Sequence, residues 1–398
     1  MSWLLAPPFP RPRPPLWLLV AITASGTLAM HMMVPALPSV AEDLAVSAGQ
    51  VQLAITLYVA GLAAGQLVYG PLSDRFGRRP MLLAALLLYS LGGVAAWAAG
   101  SLGMLLAARV FQALGGCGGL VLGRAIVRDV TGPAEAAAQL ALLNLAVSAA
   151  PALAPIAGGY MALWIGWRTI FALLAGLGLA TLALTALTVA ETRVGGGRAT
   201  AMLRTYPRLL ASPTFRHYTI GGACMTTAIY AFLSASPFIF TSVLHRPAEE
   251  VGFYYLLIFS GVSLGSIVAN RTARLVSPRL VLRAASLLSA ASASVLFAAA
   301  LAGHLTLPLT LATVLLFTVC AGTASPLALT GAIGVHPDAI GAAAGLYGFW
   351  QMSFGALCTL TVSLWHDAPA TSAGAVLMVS ALIAVASLAA ATRRSARA

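Results

Sequence analysis

Apolar residues run through this chain in long blocks broken by short polar punctuation, and the blocks show neither the period of two expected of membrane strands nor the one-sided stripe of soluble helices. Met81–Ala99 and Ala172–Ala190 each contain no charged residue. They match the roughly 20 residues a helix needs to cross about 30 Å of hydrocarbon. Blocks of this kind predict spans near 16–38, 51–71, 81–99, 102–123, 137–162, 169–190, 217–241, 251–270, 281–302, 306–329, 340–363 and 371–391. The expected fold is an all-α membrane protein of twelve transmembrane helices in two pseudo-symmetric six-helix halves. The polar stretch 191–216 is expected to be a cytoplasmic linker between halves at 1–190 and 217–398, with Gly195, Gly196 and Gly197 in a row. Similar features recur on both sides of it: a basic loop after the second span of each half, and a glycine-spaced fifth span.

Composition agrees, since 60% of residues are hydrophobic and 8% charged, against about 25% charged in ordinary soluble domains. The net charge of +12 would suggest nucleic acid if it were clustered, but its placement is topological. With a cytoplasmic N-terminus, all arginines except Arg109, Arg168 and Arg246 fall inside, from Arg11 and Arg13 to Arg274, Arg394 and Arg397. The positive-inside rule then puts both termini in the cytoplasm. Cys117, Cys224, Cys320 and Cys358 lie within spans, and no histidine stands at ligand spacing. Neither disulfides nor metal are expected, and no cofactor. The start lacks a small-residue cleavage site and should remain as the first helix. Trp17, Trp97, Trp164, Trp167 and Trp365 lie near span ends, as interfacial anchors do.

Between the second and third spans stands Tyr69-Gly-Pro-Leu-Ser-Asp-Arg-Phe-Gly-Arg-Arg-Pro80. Gly70 and Gly77 allow close approach and a tight turn, and Arg75, Arg78 and Arg79 hold the loop inside. Asp74 carries a charge suited to a helix N-terminus. This loop resembles the signature of the major facilitator superfamily, G-x-L-x-D-R-x-G-R-R/K-P. The resemblance implies a latch between the halves in the outward-facing state, with Asp74 docking where the eleventh span begins near Gly341. Arg109 and Gln112 in the fourth span resemble the family's R-x-x-Q-G motif, associated with proton coupling, with Ala113 in place of the glycine. Pro151, Pro155, Gly158 and Gly159 resemble its antiporter motif, with Ala150 and Ala154 replacing two glycines.

Val34–Pro38, Phe232–Phe238 and Gly341–Gly345 narrow the resemblance to the Bcr/CflA subfamily of drug exporters. It implies secondary active export of drugs or small amphipathic metabolites by proton antiport across the inner membrane, with a monomer, a small-molecule substrate and the bilayer as partners. A nutrient importer of the same fold is the rival reading, because the fold does not set direction. No nucleophile, metal cluster or paired acids marks an enzyme, and no nucleic-acid partner is expected. Polar or aromatic residues near span midpoints are candidates for substrate binding: Tyr58, Gln112, Asn144, Tyr230, Tyr254, Trp350 and Gln351. None of the carboxylates lies at the midplane. Where related exporters carry an aspartate in D-M-Y-L-P-A-L-P, this chain reads His31-Met-Met-Val-Pro-Ala-Leu-Pro38. His31 is thus a candidate proton carrier, with a non-titrating substrate ligand and simple packing as the open alternatives.

Overall fold

The computed structural model describes residues 13–193, 198–272, 275–336 and 339–394. Arg11, the three linker glycines Gly195, Gly196 and Gly197, Arg274, Asp338 and Arg397 lie outside the described residues. The described chain is helical, without strands. The first span is α1 (Leu16–Met33), a 3-10 turn at Val34–Ala36 and α2 (Leu37–Asp43), a break set by Pro35 and Pro38. The rest of the first half is α3 (Ala48–Phe76), α4 (Arg78–Trp97), α5 (Leu102–Val130), α6 (Pro133–Trp164) and α7 (Arg168–Thr188). The connecting segment, read as a linker, forms a helix of its own, α8 (Arg198–Ala211).

The seventh span is α9 (Pro213–Thr227) and α10 (Ile229–Phe238). It runs into a π-turn at Ile239–Val243, directly after Pro237. Then follow α11 (Ala248–Thr272), α12 (Pro278–Leu301), α13 (Leu307–Ile333), α14 (Ile340–Leu364) and α15 (Pro369–Arg394). Among the described residues eleven segments are long and apolar enough to cross a bilayer. The twelfth, α14, has the length at 25 residues but interrupts its apolar surface with Gln351, Ser353 and three further glycines after Gly341.

The two halves repeat a packing device. In α3, Gly61 and Gly65 face Ala113 and Cys117 of α5; in α11, Gly261 and Gly265 face Thr318 and Val319 of α13. A Cβ on any of the four would fall within 2.9 Å of its neighbour. Small residues four apart let second and fourth helices of each half approach closely in lipid, where packing rather than solvent exclusion drives association.

The halves meet at the end away from α8. Gly49 of α3 lies under the Ser363 carbonyl and the His366 ring, and Gly252 of α11 lies on Ile156 of α6. Deeper in, Gly348 of α14 packs on the Gln66 amide of α3. At the connecting end no atom lies within 4 Å of a Cβ placed on Gly132 or Gly341. Trp17, Trp97, Trp164 and Trp365 are exposed at helix ends. Trp167 differs: it is buried and its indole N–H donates to Asp43 at 3.3 Å.

Candidate functional site

A charged cluster is built where α1, α3 and α5 cross. Arg109 is fully buried. Its Nη1 donates to the Ala29 carbonyl at 3.1 Å and to Gln112 Oε1 at 2.6 Å. The guanidinium lies 3.9 Å from the Tyr58 ring centroid and 5.6 Å from that of Phe171. Nε and Nη2 have no partner. The Tyr58 hydroxyl donates to the Gly26 carbonyl at 2.7 Å, and Tyr89, which the sequence reading passed over, donates to the Ser25 carbonyl at 3.1 Å. The cluster holds the α1 backbone from Ser25 to Ala29, two residues short of His31.

His31 sits on the seam between the halves. It is 1% exposed, with its ring 5.7 Å from Phe259 and 6.5 Å from Tyr230, both in the second half. The contact from Nδ1 to the Thr27 carbonyl, 2.8 Å, requires Nδ1 to donate, because a carbonyl only accepts. In the neutral ring Nε2 therefore carries the lone pair, and it is buried without a partner. No ion pair reaches His31 or Arg109 among the described residues.

The other sequence candidates are scattered. Gln351 bonds to Thr226, and its carbonyl accepts from Thr227 at 2.8 Å, tying α14 to α9. Tyr254 lies near the start of α11, not its midpoint, where its hydroxyl is held by Glu250 and lies 3.2 Å from Arg246 Nε. Trp350 is 44% exposed on the stripe that continues through Leu357 and Leu364, away from the seam face marked by Gly348. That stripe borders an apolar cavity of about 360 Å³ between α14 and α15, lined by Phe354, Leu357, Cys358, Trp365 and Ser380, remote from Arg109. Asn144 is exposed and accepts from Arg124 Nη2 at 3.0 Å. Phe259 and the Tyr255–Ser236 pair, whose hydroxyls lie 2.6 Å apart, were not singled out from sequence. Nothing but their apolar spacing on α11 could have flagged them.

The antiporter-like stretch acts through shape. A Cβ on Gly158 would lie 1.9 Å from the Met32 carbonyl oxygen, while one on Gly159 would lie 3.6 Å from Pro35. Pro151 and Pro155 lie inside α6.

In the signature loop, Gly77 has φ 102°, which favours glycine. Arg78 bridges Asp74 at 2.7 Å and Asp129 at 3.0 Å. Arg75 lies 5.1 Å over the Phe76 ring, and Arg79 donates to the Ala186 carbonyl at 2.8 Å. Glu191, beyond α7, accepts from the backbone N–H of Arg78 at 2.9 Å, Arg79 at 3.2 Å and Arg193 at 2.8 Å. It caps the start of α4 as an anion suits a helix N-terminus. Partial burial pushes its carboxyl up, but the N–H groups of Arg193, Arg78, Arg79 and Thr192 outweigh that and hold it below the usual glutamate value. Asp74 is engaged by Arg78 and no atom lies within 4 Å of a Cβ placed on Gly341, so the expected Asp74–Gly341 contact is not made in this conformation.

Twelve spans in two repeated halves, with Arg109 buried inside one half and His31 buried on the seam between them, define a helical membrane transporter of the alternating-access kind. The chain belongs to the Major Facilitator Superfamily, whose sequence profile matches residues 18–359. It is 29% identical over 378 residues to Multidrug resistance protein D of Escherichia coli (strain K12), covering 92% of each chain. It is 33% identical over 258 residues to the Chloramphenicol resistance protein of Pseudomonas aeruginosa, covering 64% of this chain and 60% of that one. Among solved structures it resembles a bacterial homolog of the human lysosomal transporter Spinster, in an inward-facing and occupied conformation, with a TM-score of 0.74, 15% identity, and coverage of 95% and 96% of the two chains. That likeness is one of fold.

Proposed function

We propose that this chain exports drug-like or small amphipathic molecules across the inner membrane by proton antiport, as a monomer and without enzymatic activity. The observation that carries the reading is His31, a buried titratable ring on the seam with Nε2 unpartnered, on the helix that Arg109 grips at Ala29. The drug-resistance names of two relatives support export. Residues 1–190 and 217–398 act as the two rocking bodies, with 191–216 as their cytoplasmic link and both termini inside.

On that orientation the contacts between halves at Gly49 and Gly252 lie at the outer end. The signature residues Gly70, Asp74, Arg75, Gly77, Arg78 and Arg79 would latch the halves when the cleft reverses. Of the substrate-binding candidates, Gln112 and Tyr58 contact Arg109 and Tyr230 contacts His31, which makes them the ones to test first. Drug susceptibility of a pump-deleted host expressing the chain tests the direction. Raised resistance to at least one amphipathic compound is expected; hypersensitivity, or accumulation of the compound in cells, would show import instead.

A further inference from the structure

Beyond the cluster at Arg109, α5 carries two more arginines one turn apart, Arg124 and Arg128. Gly115 of α5 packs on α4 at Ala85 and Tyr89. Arg124 lies nine residues further, which at 100° per residue places it on the opposite side of α5. Both α5 and α6 pack on α1: Gly116 and Gly119 of α5 meet Gly26 and Ile22, and Gly158 of α6 meets Met32. The Arg124–Asn144 bond, 3.0 Å, therefore bridges α5 to α6 on the side of α5 away from α4, the side on which Ala113 and Cys117 meet α3.

The charges there are unanswered. Arg128 is exposed and donates to the Arg124 carbonyl at 3.3 Å. Arg124 Nε is buried without a partner. The nearest acids in sequence are already engaged: Asp129 by Arg78 and Thr192, and Glu135 by Arg13 and Gln139. Glu135 also precedes Asn144 by nine residues, so it leaves α6 on the opposite face. Among the described residues no ion pair engages Arg124 or Arg128.

We infer that Arg124, Arg128 and Asn144 form a headgroup subsite for an anionic amphipathic cargo, a carboxylate or sulfonate on an apolar body. The inference rests on the export reading and deepens it by assigning the charge of the cargo. A carboxylate displacing the Asn144 oxygen would take Nη2 and Nε together, the fork geometry in which guanidinium binds planar anions best. Ala141, exposed one turn before Asn144 on the same face of α6, leaves room beside it for the apolar body. A lipophilic cation would meet two like charges and, among the described residues, no acid paired with them.

The test uses the full chain in phosphatidylcholine nanodiscs, titrated by fluorescence with dansylglycine as the anion and dansylcadaverine as the cation. The anion should bind tighter by about ten-fold or more, the scale of one charge-assisted bond. Arg124→Gln should remove that preference, Arg124→Lys should keep part of it, and Asn144→Asp, which sets a carboxylate against Arg124, should reverse it. Equal or tighter binding of the cation overturns the inference and leaves export standing. Unchanged anion affinity in both Arg124→Gln and Asn144→Asp also overturns it. Loss of the anion signal when phosphatidylglycerol is added to the nanodiscs assigns the subsite to a lipid headgroup and overturns the cargo assignment. Anion binding intact beside failure of every resistance screen would overturn export alone.

Discussion

The Arg109 guanidinium lies face-on over the Tyr58 ring, 3.9 Å from its centroid, while the Tyr58 hydroxyl is tied to the Gly26 carbonyl. One aromatic side chain thus does two jobs: its face accommodates a charge buried without a carboxylate, and its edge fixes α3 to α1. A desolvated cation–π contact is worth about 2 kcal/mol or more, and a neutral hydrogen bond about 1 kcal/mol. Tyr58→Phe should therefore cost little, and Tyr58→Leu should lower the thermal unfolding midpoint in detergent clearly more. Equal losses in the two variants would show that the ring face contributes nothing to holding Arg109.

Gly158 and Gly159 are neighbours with opposite expectations. A methyl at Gly158 meets a backbone oxygen at 1.9 Å, and α6 has to move off α1 to admit it; at Gly159 the nearest atom, on Pro35, is at ordinary contact distance, 3.6 Å. Overpacking of this kind costs about 1–3 kcal/mol. Gly158→Ala should reduce folded protein recovered from membranes, and Gly159→Ala should not. Recovery of both at wild-type level would separate the motif from helix packing.

The span pattern was legible because apolar length alone sets it, and so was the turn at Gly77. The repeated glycine pairs Gly61/Gly65 and Gly261/Gly265 were equally readable as small-residue spacing, and they mark the symmetry better than the basic loops do. The site was legible only in part. Arg109 and His31 announce themselves as charge or potential charge in hydrocarbon, but Trp350 does not reveal from sequence which face of α14 it occupies. Tyr254 and Gln351 were chosen as polar groups in apolar helices. Their partners Glu250 and Thr226 sit on a neighbouring turn and a neighbouring helix, where span boundaries give no guide. Phe259 became visible only when α11 was brought against α1.

Glu191 makes the signature loop sensitive to acid. Its carboxyl is held below the usual glutamate value, so the folded state binds fewer protons than the unfolded one near that value. Its stabilisation is present above the unfolded pKa of about 4.3 and is lost as pH falls through the lower folded value. Thermal midpoints of the wild type and Glu191→Gln should differ at pH 7 and converge as pH drops below about 4. A gap that persists undiminished at low pH would mean that the carboxylate charge is not what caps α4.

The topology has a direct test. If 191–216 is cytoplasmic, Glu249 and Asp367 lie outside, at the end where Gly49 meets His366. Cysteines at those two positions, with Cys117, Cys224, Cys320 and Cys358 buried, should label with an impermeant thiol reagent in intact spheroplasts. Protection of both until the membrane is permeabilised would invert the orientation.

His31 is anchored through Nδ1 to Thr27, which leaves Nε2 as the only nitrogen free to take a proton. In the conformation described, that nitrogen is buried against the rings of Phe259 and Tyr230. A proton arriving there would charge a buried ring with no counter-ion among the described residues, a costly state. Loading is therefore expected with the seam open to the outer side and release only after the halves have rocked, so that protonation of His31 and the rocking are tied together. In proteoliposomes an imposed pH gradient should drive uphill movement of a compound identified by the resistance screen. His31→Gln keeps a polar side chain without a titrating group, so it should abolish uphill movement and leave downhill exchange intact. A glutamine variant that still concentrates the compound would assign the carrier elsewhere, and a variant that loses both activities would mark His31 as a substrate or packing residue.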